Sequence, residues 1–297
     1  MLPRQILPGA TYLISRRCTQ RQFLLRPTAT TTDILTYCLA VAAVRCGIRV
    51  HAVCAMGNHY HAIVTDPDAR LPEFLAYFNK HAAKAINASL GRWENLWASE
   101  APSCVRLLDA DDVLEKMRYL VCNAVVAGLV KRAKRWPGLL RYLPRHSTRA
   151  LRPQVFFRED GPMPTVVELE LTLPPALAAL GVTEVEARLS TAVRDTEDRI
   201  ARERADAGRP FLGEEAVLAQ QPTDWPNSRE PRRVLSPQVA GRSKWHRIEA
   251  LQRLKSFVAD YRDAWTRWRA GEGSVVFPFG TYALRRHAAV TCEAAPA

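Results

Sequence analysis

The stretch IRVHAVCAMGNHYHAIVT, residues 48–65, decides the fold of the N-terminal half. Two β-rich runs, Ile48 to Met56 and His59 to Thr65, are separated only by Gly57-Asn58, a tight-turn pair, and predict a β-hairpin. On strict alternation Val50, Ala52, Cys54, Met56, Tyr60, Ala62 and Val64 share one apolar face, the expected core face. Arg49, His51, His59, His61 and Thr65 share the other, wetter face, where His59 and His61 project side by side. Two imidazoles so placed can hold one divalent cation. Two strand histidines can equally well just face solvent.

Outward from the hairpin, Tyr12 to Arg16 reads as a short strand and Thr32 to Cys46 as an apolar helix ended by Gly47. Leu71 to Leu90 is helix-like, with Leu71, Phe74, Leu75, Phe78 and Ala82 on one stripe and Gly91 at its end. Ser103 to Leu107 predicts another strand. Asp109 to Val126 predicts a helix with acidic residues in its first turn and Gly128 after it. Tyr119 and Asn123 lie four apart on that helix and share a face. A tyrosine hydroxyl beside a bound cation is a nucleophile suited to phosphoryl transfer, and Asn123 offers a third ligand oxygen. The plainer reading makes Tyr119 a core aromatic among Met117, Leu120 and Val121.

The 297 residues carry 42 Lys+Arg against 30 Asp+Glu, a net charge of +12 that favours a polyanionic partner, nucleic acid first. No apolar run approaches the roughly 20 residues of a membrane span, and the N-terminus has no signal-like apolar core, so a cytoplasmic, nucleoid-associated protein is expected. The seven scattered cysteines include no C-x-x-C pair, which argues against a disulfide framework or a four-cysteine zinc site.

Charge also divides the chain. Lys131 to Arg152 contains Lys131, Arg132, Lys134, Arg135, Arg141, Arg145, Arg149 and Arg152 and no acidic residue. With Trp136 and Tyr142 interleaved it has the composition of a phosphate-tracking surface, or of a solvated linker. Glu159 to Asp206 is acidic, Arg229 to Arg269 is basic, and Pro153 with Pro162 and Pro164 suggests a boundary near residue 150. In the second part Glu184 to Asp206 reads as a charged helix and Gly208 to Gly241 as loop. Trp245 to Arg269 reads as a helix whose stripe Trp245, Ile248, Leu251, Leu254, Val258, Tyr261, Trp265 and Trp268 is expected to face a core. Phe277 to Tyr282 reads as a closing loop or strand.

Several of these stretches, in order, resemble a known family. Pro8-Gly9-Ala10-Thr11-Tyr12 with Ser15-Arg16-Arg17 is similar to its opening strand. His51-Ala52-Val53 through Met56-Gly57-Asn58-His59-Tyr60-His61 is similar to its H-A-x-x-x-M-P-N-H-x-H block. Arg118-Tyr119 through Asn123 to Val130 is similar to its R-Y-I-x-x-N-P-V-x-A-G-L-V helix, with weaker matches at Phe78-Asn79-Lys80 and Asn95-Leu96-Trp97. The family is that of the HUH single-tyrosine transposases of the IS200-like kind, in particular the REP-associated tyrosine transposases, and the resemblance spans about residues 8–137. Gly57 and Ala124 stand where the family usually has proline, and Ala98 to Pro102 replaces its usual arginine and aromatic.

The resemblance implies an α+β fold, an antiparallel sheet with packed helices (HUH endonuclease-like, ferredoxin-like) over residues 1–150, followed by a mostly helical basic accessory domain over 151–297. It implies that His59, His61 and Asn123 ligate Mg²⁺ or Mn²⁺ and that Tyr119 attacks single-stranded or hairpin DNA, leaving a 5′-phosphotyrosine link and a free 3′-OH. Arg16 and Arg17, with Lys131, Arg132, Lys134 and Arg135, are the candidate DNA contacts, and a homodimer is compatible with the pattern. The alternative is a non-catalytic DNA-binding protein derived from such a transposase, a repressor or a domesticated repeat-binding factor. An RNA-binding module on a similar sheet fits less well, because the paired exposed aromatics of an RNA-reading strand are missing.

Overall fold

In a computed structural model of the chain, residues 3–144, 147–228 and 237–295 are described. Arg145 of the basic block and residues 229–236 of the 208–241 stretch lie outside them. The first half runs β1 (Ala10–Arg17), α1 (Ala29–Cys46), β2 (Arg49–Ala55), β3 (His59–Asp66), α2 (Leu71–Ser89), β4 (Ser103–Leu107), α3 (Ala110–Val121), α4 (Asn123–Val126) and β5 (Leu140–Tyr142). The second runs β6 (Thr148–Leu151), β7 (Val166–Leu169), α5 (Gly181–Asp206), α6 (Glu214–Ala219), β8 (Val239–Ala240), α7 (Lys244–Arg269), β9 (Val276–Phe277), α8 (Ala283–His287) and β10 (Thr291–Cys292).

One six-stranded sheet, in the order β5-β2-β3-β1-β4-β8, organises the protein. It is antiparallel apart from the β4–β8 pair. The run β1-α1-β2-β3-α2-β4 with sheet order β2-β3-β1-β4 is the split β-α-β arrangement of ferredoxin-like folds, as expected. The Thr28 hydroxyl caps α1 by accepting from the Thr31 N–H, and Gly47 ends it in the left-handed region (φ 67°), which glycine enters without penalty. Helices α1 and α2 cover one face of the sheet, and the β6–β7 hairpin covers α1 from outside.

The other face is covered too. Val113, Met117, Leu120 and Val121 of α3 and Val185, Leu189 and Ile200 of α5 form a second core over Leu13, Cys54 and Ile63. Burial on both faces overturns the expected wet side of the hairpin. His61 is 6% exposed and His51 is fully buried, bonded to the Thr65 hydroxyl (2.7 Å) and the Thr172 carbonyl (2.8 Å). The parity also changes along β2. Val50 pairs with Val64, but the register shifts before Ala52, which pairs with Ile63, so a bulge at His51 turns Ala52 and Cys54 to the α3 face and Val53 and Ala55 to the α1 face.

Other expectations are refined. The helix predicted from Asp109 to Val126 is interrupted at Cys122 and continues as α4. The stretch 208–241, expected as loop, contains α6 and β8, which joins the sheet. On α7 the buried line is Ala250, Phe257 and Ala264, while Trp245, Leu251 and Trp265 are exposed, because α7 meets the sheet edge and the C-terminal strands along one narrow strip. Both large cores draw on residues from each side of position 150, where a boundary was expected. Among the described residues no helix is long and apolar enough to cross a membrane.

Candidate active site around Tyr119

The turn at Gly57-Asn58 starts β3 at His59, and the β1–β3 register sets His59 opposite Arg17 and His61 opposite Ser15. The two imidazoles lie on one face, ring centroids 4.9 Å apart and nearly perpendicular (80°). Each is anchored through Nδ1, His59 against the Asn58 side-chain oxygen (2.7 Å) and His61 against the Ser15 hydroxyl (2.6 Å). With Nδ1–H donated to those oxygens, each Nε2 carries the lone pair. Burial pulls the His59 pKa down to about 4, helped by the Arg17 guanidinium and opposed by Asn123. Burial, then the neighbouring His59, pulls His61 down to about 3. Both rings are therefore neutral at pH 7, the form that ligates metals.

Helix α3 carries the tyrosine. Asp109 and Asp112 close a capping box at its start, and near its end Arg118 pairs with Glu115 and donates to the Thr196 hydroxyl of α5 (2.9 Å). With Met117, Leu120 and Val121 turned into the core, Tyr119 is left at the rim, 39% exposed. It is not the core aromatic of the plainer reading. Its Oη stands 3.4 Å from His61 Nε2, ring against ring at 72°. Partial burial raises its pKa, while Asn123 beside it lowers it. Asn123, first residue of α4 past the Cys122 break, thus neighbours both His59 and Tyr119.

The donor set fits a divalent cation. Two Nε2 lone pairs and the Asn123 amide oxygen are nitrogen and oxygen donors on one face, few enough to leave positions for water and a phosphate oxygen. Among the described residues no three of His, Cys, Asp and Glu cluster. Sequence reading missed Ser15 and Asn58 as ring-orienting partners. The signal for Ser15 was pairing register: a small hydroxyl side chain on β1, directly opposite the second histidine.

Ser15→Ala is expected to lower Mn²⁺ affinity about tenfold, the scale of losing a partner that orients a ligand, and to cost about 1–3 kcal/mol by leaving Nδ1 unpaired. Ser15→Thr restores both. A Mn²⁺ titration by electron paramagnetic resonance beside a thermal melt checks it, and unchanged affinity in the alanine variant refutes the orienting role.

The basic candidates separate. Arg17 borders His59, with the Ala98 N–H donating to its carbonyl (2.9 Å). Arg16 points to the other side of β1 and donates to the Glu100 carbonyl, so the Ala98–Pro102 segment occupies it. Arg17, Arg21, Ser99 and Glu100 border a polar cavity of about 190 Å³. Lys131, Lys134 and Arg135 are exposed. Arg132 differs from them: it pairs with Glu197 (3.0 Å) and Asp198 (2.7 Å) of α5, and Glu197 also accepts the Ala133 N–H (2.6 Å). The block lacks acidic residues in sequence but meets them in space, and Arg132 ties α5 to the tyrosine helix's continuation.

Neutralising Lys131, Lys134 and Arg135 together is accordingly expected to flatten the salt dependence of single-strand binding by up to about 0.7 log units per log of salt for each phosphate left without its cation. Discrimination between a hairpin and a scrambled strand stays the same, because phosphate contacts carry no base information. Binding isotherms at several salt concentrations measure this, and an unchanged slope makes the block a solvated linker.

No protein-family model and no curated protein matches the chain. Solved structures match in part. A REP-associated tyrosine transposase bound to a REP hairpin is 19% identical over 46% of this chain and 80% of that one, with a TM-score of 0.40. A Deinococcus radiodurans R1 protein assigned as a transposase is 16% identical over 39% of this chain and 92% of that one, with a TM-score of 0.30. The tRNA(His) guanylyltransferase of Saccharomyces cerevisiae is 11% identical over 43% of this chain and 64% of that one, with a TM-score of 0.32.

Proposed function

We propose that this protein is a metal-dependent tyrosine nuclease and strand transferase acting on single-stranded or hairpin DNA, of the HUH transposase kind. The observation that carries the reading is the approach of the exposed Tyr119 hydroxyl to His61 Nε2 at 3.4 Å, with His59 and Asn123 beside it. Mg²⁺ or Mn²⁺, held by His59, His61 and Asn123, would draw charge from a phosphodiester. Tyr119 Oη bonds to phosphorus as the P–O3′ bond breaks; the phenol gives up its proton and O3′ gains one. The phosphate stays a diester, linking the tyrosine oxygen to O5′ of the downstream strand, so a 3′-OH can reverse the step without ATP. Arg17 beside His59 and the exposed Lys131, Lys134 and Arg135 supply positive charge along a strand's path.

Incubating the protein with 3′-labelled hairpin oligonucleotides and Mn²⁺ and running a denaturing gel tests this. A labelled protein–DNA adduct is expected. Binding without any adduct would favour the second reading, a non-catalytic DNA-binding derivative, which the engagement of Arg16 by the Ala98–Pro102 segment supports.

A further inference from the structure

A chamber of about 380 Å³ lies on the sheet face opposite His61, where the N-terminal segment, β1, β4, α2 and α7 meet. That volume is in the range of small-molecule sites, roughly 300–1,000 Å³. Its walls are mostly apolar: Leu71 and Leu75 of α2, Leu254 and Tyr261 of α7, and Tyr12 of β1. The charged groups among its described lining residues are of one sign. Arg106 of β4 lines the chamber, and its guanidinium makes no hydrogen bond or ion pair among the described residues. Arg4 lines it as well and, among the described residues, donates to the Pro102 carbonyl and the Cys104 sulfur. No Asp or Glu is among the described lining residues. A half-buried cation without an anion, facing an apolar enclosure, is costly unless something complements it.

We propose that this chamber binds a small amphipathic organic anion, its apolar body between α2 and α7 and its carboxylate-type headgroup on Arg106 and Arg4. The charge complementarity selects an anion over a neutral or cationic molecule of the same shape. Because the walls come from both the central sheet and α7, the ligand joins them, and occupancy raises thermal stability.

The test is calorimetric titration of the full chain with decanoate, and with decyltrimethylammonium as the same tail carrying the opposite charge. Expected are one decanoate per chain, a raised melting temperature and no saturable binding of the cation. R106Q weakens decanoate by about ten- to a hundredfold, the scale of losing hydrogen bonds to a charged group. A250L, which puts bulk into the chamber from α7, blocks it; should that variant fail to fold, R106Q carries the comparison. Equal binding of both tails, no saturable binding of decanoate, or undiminished affinity in R106Q overturns the proposal. So does displacement of decanoate by single-stranded DNA, which would give the chamber to the nucleic-acid path.

Discussion

Tyr119→Phe is expected to eliminate the covalent DNA adduct while leaving the melting temperature almost untouched. The substitution removes one oxygen from a rim side chain whose ring already packs edge-on against His61. Its hydroxyl makes a long contact of 3.4 Å with His61 and meets the Asn123 side chain, both at the rim, so the stability change should stay within about 1 kcal/mol. Loss of the nucleophile is expected to cost about 10³-fold or more in adduct formation, on the scale of removing the attacking group from a covalent enzyme. Single-strand affinity, which comes mainly from phosphate contacts, is unaffected. Persistence of the adduct in the Phe variant would move the nucleophile elsewhere, Tyr142 being the next to try.

His59→Ala and His61→Ala are each expected to remove cleavage, and EDTA to reproduce the loss in the unaltered protein. Binding of uncleaved single strands should change by less than about threefold, because its free energy resides in the basic surface. The two variants differ in stability. His59 is partly exposed, whereas His61 is 6% exposed and bonded to Ser15, so its truncation should cost about 1–3 kcal/mol. His61→Gln keeps bulk and polarity and separates lost chemistry from lost folding. Gel assays with and without EDTA, alongside thermal melts, read all of this. Full cleavage in EDTA would rule out the cation.

Much of this architecture was legible because its signals are local. The turn at Gly57-Asn58, the Gly47 end of α1 and the acidic start of α3 each name their own boundary, whereas α1 begins three residues before the Thr32 read from sequence. The histidine pair on β3 and the tyrosine and asparagine four apart on a later helix were each legible as spacing, their combination was what the family resemblance implied, and the fold brings those four side chains together. What alternation could not reveal was the bulge at His51, since one extra residue reverses inward and outward for the rest of β2 without any change in composition. Nor could it reveal that both sheet faces are covered: His61 is polar in sequence yet buried, because α3, from residues far along the chain, packs on that face with α5 outside it. Arg132 misled for the same reason, its acidic partners lying more than sixty residues away.

The placement of α5 bears on how the molecule comes apart. Val185, Leu189 and Ile200 share one interior with Met117 and Leu120, and Thr196 and Glu197 grip the flanks of the helix pair that carries Tyr119 and Asn123. Melting of either partner exposes the other's apolar face, so α5 and the tyrosine helix are expected to lose order together. A fragment ending near residue 150 would leave the tyrosine helix without its outer layer, and the geometry of the reactive hydroxyl would go with it. Residues remote in sequence and untouched by substrate thus set the rigidity of the centre, and destabilising lesions in α5 would read out as lost chemistry.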